Sequence, residues 1–142
     1  MAKNDNLSQW SLTLLRIVLG VLFTYHGYMK LFATGGFTGT IGFMTALGFP
    51  MPTAFALIVS AVEFFGGLFL LIGTITKLSS LLLLIEMLVA FFKVHLKNGF
   101  FISPTAYGYE FVIVLIAALV VVLSSGAGKL SLGSFFKNKY LK

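Results

Sequence analysis

Ionisable side chains stand where apolar residues dominate this chain. In FTYHGYMKLF, residues 23–32, His26 and Lys30 lie one helical turn apart among Phe23, Tyr25, Leu31 and Phe32. Glu63, Glu86 and Glu110 interrupt later runs of leucine, valine and phenylalanine, and Arg16, Lys93 and His95 do the same. The chemistry open to this set is narrow. Lysine, arginine and histidine donate hydrogen bonds to a carbonyl or an oxyanion, carboxyl and imidazole groups exchange protons, and opposite charges tie helices together. The chain has no cysteine, so it cannot by itself build a disulfide, a thiol relay, an iron–sulfur cluster or a thiolate-held metal. Two histidines without an HExxH spacing give no metal site to expect, and no catalytic set is assigned. Any redox chemistry needs a borrowed cofactor.

The elements that carry these residues are set by composition. Of 142 residues, 58% are hydrophobic and 10% charged, with a mean hydropathy of +1.02, which describes a membrane protein. Apolar runs at 10–32, 52–75, 77–96 and 106–125 each approach the roughly 20 residues that cross a bilayer as helix. The expected fold is therefore all-α, an integral membrane four-helix bundle forming one domain over 1–142. The first run should be retained as a helix. It is too long for a signal peptide, carries Arg16 and ends at Lys30 instead of a small-residue cleavage site.

The connections refine this picture. Between the first two runs, Phe37, Ile41, Met44 and Leu47 share one side of a helical wheel between glycine and proline breaks, predicting a short interfacial helix over 37–47 on the outer surface. Gly73 to Thr76 is so short that the second and third spans must be antiparallel neighbours. KNGFFISPT reads as a loop whose Phe100 and Phe101 dip into the interface. The basic tail, 126–142, places lysines beside Phe135, Phe136 and Tyr140, as a segment lying on anionic lipid would.

The net charge of +6 reflects topology and lipid, with no nucleic-acid partner required. Six lysines (3, 77, 129, 137, 139 and 142) fall on one side and three (30, 93 and 97) on the other, which puts both termini in the cytoplasm.

Spacing turns the ionisable groups inward. Arg16, Gly20, Phe23, Gly27 and Lys30 form one stripe, Ala56, Ser60, Glu63, Gly67 and Leu70 a second, and Ser79, Glu86, Ala90, Lys93 and Lys97 a third. Depth measured from each helix end, at about 1.5 Å per residue, predicts an inner polar layer of Arg16, Glu63 and Glu86. An outer layer would hold His26, Lys30, Lys93, His95, Lys97 and Glu110. Each group also has a plainer reading: Arg16 with a glutamate as a structural ion pair, and the outer lysines and histidines snorkelling to headgroups.

LLRIVLGVLFTYHGYMKLF, LGFPMP, VEFFGGLFLLIGTITK, GYEF and GAGKLSL, in that order, resemble the DoxX family of small four-helix membrane proteins. On that resemblance Arg16, His26, Gly27, Lys30, Pro50, Pro52, Glu63, Gly67, Gly73 and Glu110 occupy recurrent family positions. Gly133 departs from the aspartate usual after the SL pair. The resemblance implies a subunit associated with quinol oxidases, thiosulfate:quinone oxidoreductases or thiol-handling membrane assemblies. The lack of cysteine weighs against the last unless a partner supplies the sulfur.

The expectation is thus a redox-complex subunit with a quinone-like ligand held by His26, Lys30, Glu63, Glu110, Arg16 and Glu86. Its partners would be lipid, other redox subunits or a second copy. The alternative is a non-catalytic scaffold or chaperone-like bundle. Transport is less favoured, since four spans leave little room for alternating access.

Overall fold

Helices make up the regular structure of the computed structural model, which describes residues 2–104 and 106–134. Five α-helices run as α1 (Ala2–Leu31), α2 (Gly36–Ala46), α3 (Pro52–Ile72), α4 (Thr76–Ala90) and α5 (Glu110–Ser125). Three stretches, Asn6–Leu31, Pro52–Ile72 and Thr76–Asn98, are long and apolar enough to cross a membrane; α5, with 16 residues, is shorter. The aromatic part of the basic tail, with Phe135, Phe136 and Tyr140, lies outside the described residues.

Local chemistry sets the ends of these helices. Helix α3 stops three residues before the expected boundary because Gly73 turns left-handed, at φ 73°, and returns its N–H to the carbonyls of Phe69 and Leu70. Pro52 opens α3, where a missing N–H is harmless. Helix α4 continues through a π-helical turn, Phe91–His95, into a 3₁₀ turn, Leu96–Asn98. The residues expected to begin the last span at 106 instead lie in a loop, in which Ser103 and Ala106 pair their backbones.

Helices α1 and α3 approach backbone to backbone. A Cβ added at Gly20, Gly27 or Gly67 would lie under 3.0 Å from the backbone of Leu71, Phe64 or Thr24, respectively. Only glycine permits such contact. The first two predicted stripes fall on the buried faces: Arg16, Gly20, Phe23 and Gly27 on α1, with Lys30 half-buried at its end, and Ala56, Ser60, Glu63, Gly67 and Leu70 on α3. On α4 the buried face is Thr76, Ser79, Ser80, Leu83 and Met87. Glu86 and Ala90 are half-buried, and Lys93 and Lys97 are exposed. The π turn adds a residue to that turn of helix, so of the third predicted stripe only Lys97, which follows it, is rotated out of line.

The glycine contacts also fix a register. Because Gly27 meets Phe64, α1 ends four residues later at Leu31, opposite about Ser60. The first two turns of α3 therefore project past the end of α1. Helix α2 folds over that step, burying Thr40 and Met44. Leu12, Leu19, Phe23, Leu70, Leu83, Leu115 and Leu119 form the core toward the other end.

Candidate functional site

The step between α1 and α3 leaves a cavity of about 810 Å³, roofed by α2 and walled by α3 and α4. Its lining is mostly apolar, with Phe55, Val59 and Val62 from α3 and Met44 from α2 among it. Phe43, Ile58, Leu82, Ile85 and Val89 line the cavity and are exposed. The opening is thus framed in large part by surface that lipid covers in a membrane-spanning bundle.

Six acidic or basic side chains line the same space: His26, Lys30, Glu63, Glu86, Lys93 and His95. Lys30 reaches from the last turn of α1 to Glu63, with Nζ 2.6 Å from Oε2. Glu63 is 4% exposed, so its charge depends on that ammonium. The Glu86 carboxyl lies beside that of Glu63, within hydrogen-bonding reach, and its buried Oε2 has no hydrogen-bond partner among the described residues. Two carboxyls and one ammonium thus share one apolar wall.

The other polar groups stand nearer the rim. His95 donates from Nδ1 to the Tyr107 carbonyl at 2.8 Å, which leaves Nε2 to face other partners. Lys93 Nζ lies 5.8 Å from the centre of the Phe49 ring, a cation–π distance. His26 lines the cavity yet is exposed. Exchanging it for glutamine should therefore change folding stability by less than about 0.5 kcal/mol, which thermal unfolding in detergent would check. A large loss would place the imidazole in a structural role instead.

Arg16 and Glu110 stand apart from this group. The Arg16 guanidinium lies at the α3–α4 hairpin, where Nη2 donates to the Leu130 carbonyl. Glu63 faces about residue 28 of α1, some 18 Å along the helix from Arg16. The expected inner layer is therefore split. Depth counted from each helix end assumes level ends, and the glycine contacts slide α1 relative to α3. Glu110 Oε1 accepts the Ile102 backbone N–H at 2.8 Å and so closes the loop ahead of α5; the residue does not line the cavity.

The Lys30–Glu63 pair was missed in the sequence because the two residues were assigned to different layers. A signal was present, since matching the glycines of α1 to those of α3 in antiparallel order brings Lys30 opposite the turn that carries Glu63. The glycines at the start of α2 and just before it that line the roof, Gly35, Gly36 and Gly39, carried no such signal.

An all-helical membrane protein with an ion-paired, laterally open cavity between its helices is the class this fold and site define. The chain belongs to the DoxX family, whose pattern it matches over residues 11–96, a stretch that includes Lys30, Glu63 and Glu86. It is 30% identical over 127 residues to "Putative oxidoreductase CatD" of Bacillus subtilis (strain 168), covering 89% of this chain and 87% of that one. An uncharacterized protein of Haemophilus influenzae is 32% identical over 129 residues, covering 89% and 91% of the two chains. No solved structure matches at a significant level.

Proposed function

We propose that this DoxX protein is an integral-membrane subunit of a redox complex and that its cavity holds a quinone-like ligand. The observation that carries the reading is the Lys30–Glu63–Glu86 cluster in the wall of an apolar cavity open toward lipid. A ligand that lives in the bilayer enters such a site sideways, and a polar ring on an apolar tail matches a wall with few polar groups. The name of the Bacillus relative agrees with the redox class.

The residues fit that group. When bound, a quinone supplies the capacity to carry two electrons with two protons. Lys30 Nζ is the donor placed to hold a ring carbonyl, and Glu86 Oε2 is the position at which a proton is held or released. Phe55, Val59 and Val62 keep water from the ring. Electrons enter and leave through a partner subunit, because the chain has no cysteine with which to hold a cluster of its own. In this reading α5 is the fourth span, α2 lies in the outer interface, and both termini face the cytoplasm across a prokaryotic plasma membrane. A second copy or another redox subunit covers part of the apolar surface.

Extraction in mild detergent and then in organic solvent should recover quinone at close to one molecule per chain. Val59 lines the cavity outside the central core, so Val59→Trp should fill the space and leave the fold standing. Bound quinone should fall at least about tenfold while the melting temperature stays near that of the parent. Equal recovery from both proteins would mean that the quinone rides on the detergent-exposed surface. Copurification of unrelated membrane proteins without quinone would favour the scaffold reading.

A further inference from the structure

Arg16 poses a charge problem that the cavity does not solve. Its side chain is 1% exposed, Nη2 donates to Leu130, and the buried Nε and Nη1 have no hydrogen-bond partner among the described residues. A guanidinium stays protonated, and burying it without a counter-charge is costly. Of the chain's four acidic residues, the three whose side chains are described are engaged elsewhere. Glu63 pairs with Lys30, Glu86 lies beside Glu63, and Glu110 accepts Ile102 N–H. Asp5 is eleven residues back on the same helix, about 16 Å away, and residues 135–142 contain no Asp or Glu.

The same end of the bundle presents further donors. Arg16 Nη1 packs against Gly73, three residues before Thr76, the first residue of α4. Helix α4 has no side-chain cap at Ile75, so its first-turn N–H groups lack that partner and the positive end of its dipole stands at this end. Thr76 and Ser80, one turn apart on its buried face, are both 0% exposed, and their hydroxyls have no partner among the described residues. Guanidinium, hydroxyls and a helix N-terminus are the donors that anion sites use.

Size narrows the choice of anion. A Cβ at Gly73 would lie under 3.0 Å from both Arg16 and Ser131, so the guanidinium packs directly on the hairpin backbone, and burial keeps the donors from lipid headgroups. We propose that the hairpin end holds a halide, chloride in the cell, against Arg16, Thr76 and Ser80, in a site separate from the cavity. The ion neutralises the guanidinium and ties α1 to the α3–α4 hairpin. A monatomic anion asks for less space than a tetrahedral oxyanion.

Purified protein exchanged into gluconate buffer would be titrated with chloride, bromide or sulfate at constant ionic strength while its melting temperature is recorded. Chloride and bromide should each give a saturable rise of a few degrees and sulfate none. Thr76→Val keeps the shape and removes one donor, so its half-saturating chloride should rise about tenfold; Arg16→Gln should abolish the response. An equal rise with sulfate, no rise at all, or an unchanged half-saturation in Thr76→Val would overturn the site. Should Arg16→Gln fail to fold, anomalous scattering from bromide-soaked crystals decides the matter: a peak in contact with Arg16 supports the proposal, and peaks only elsewhere defeat it.

Discussion

Lys30→Met should destabilise the protein by about 3 kcal/mol, because it leaves the buried Glu63 carboxylate with no counter-charge. That is the low end of the usual cost for breaking a buried pair, and it is chosen because the Lys30 side chain is 29% exposed and partly hydrated. Neutralising both partners should behave differently. In Lys30→Met with Glu63→Gln no charge is left unpaired, so most of the lost stability should return, as replacing a whole buried pair by neutral groups often does. Glu63→Gln alone strands an ammonium that can still turn toward water, and should cost less than Lys30→Met. Reversible unfolding in mixed micelles would measure all four proteins. Additive losses would show that the 2.6 Å contact contributes little.

Gly27→Val should have a comparable or larger effect for a steric reason. The new side chain would meet the backbone of Phe64, which cannot rotate aside as a flexible side chain can, so α1 and α3 must separate along their length. A loss of at least about 3 kcal/mol is expected, together with loss of the cavity, since the same contact sets the step that creates it. Gly42→Ala supplies the control. It lies within α2 with nothing inside 4 Å of the added Cβ, so the change should be neutral or stabilising by about 0.5–1 kcal/mol. If Gly27→Val melted like Gly42→Ala, the close approach of the two helices would be wrong.

These two sites show how far the sequence reaches. Periodicity identified most of the buried faces of α1 and α3, because a bilayer leaves ionisable and small residues few places to go and the pattern is correspondingly sharp. It missed residues such as Leu12, Leu19 and Gly66. It did not identify the vertical offset between helices, which depends on which glycine meets which backbone across the interface. That offset decides the site. It moves Glu63 to Lys30, leaves Arg16 at the hairpin, and opens the space that α2 covers. Glu110 stood at a helix start, where loop capping and ligand contact look alike in sequence, and its partner is the backbone of Ile102. On α4 the third stripe located the cavity wall, at Glu86, Ala90 and Lys93, and missed the packed face beside it, at Leu83 and Met87. Lys97 alone follows the π turn, which leaves no periodic trace of the residue it inserts.

Photoaffinity labelling with an azido-quinone tests the central claim most directly. Membranes containing the parent protein would be irradiated with the probe, with and without excess decyl-ubiquinone, and the labelled peptides mapped by mass spectrometry. Saturable, competed labelling is expected on the cavity-lining parts of α2, α3 and α4, such as Phe43, Val59 and Val89, and it should be lost in Val59→Trp. Labelling that resists competition, or that falls on exposed α5 residues such as Val114 and Val120 and persists in Val59→Trp, would contradict a quinone site in the cavity.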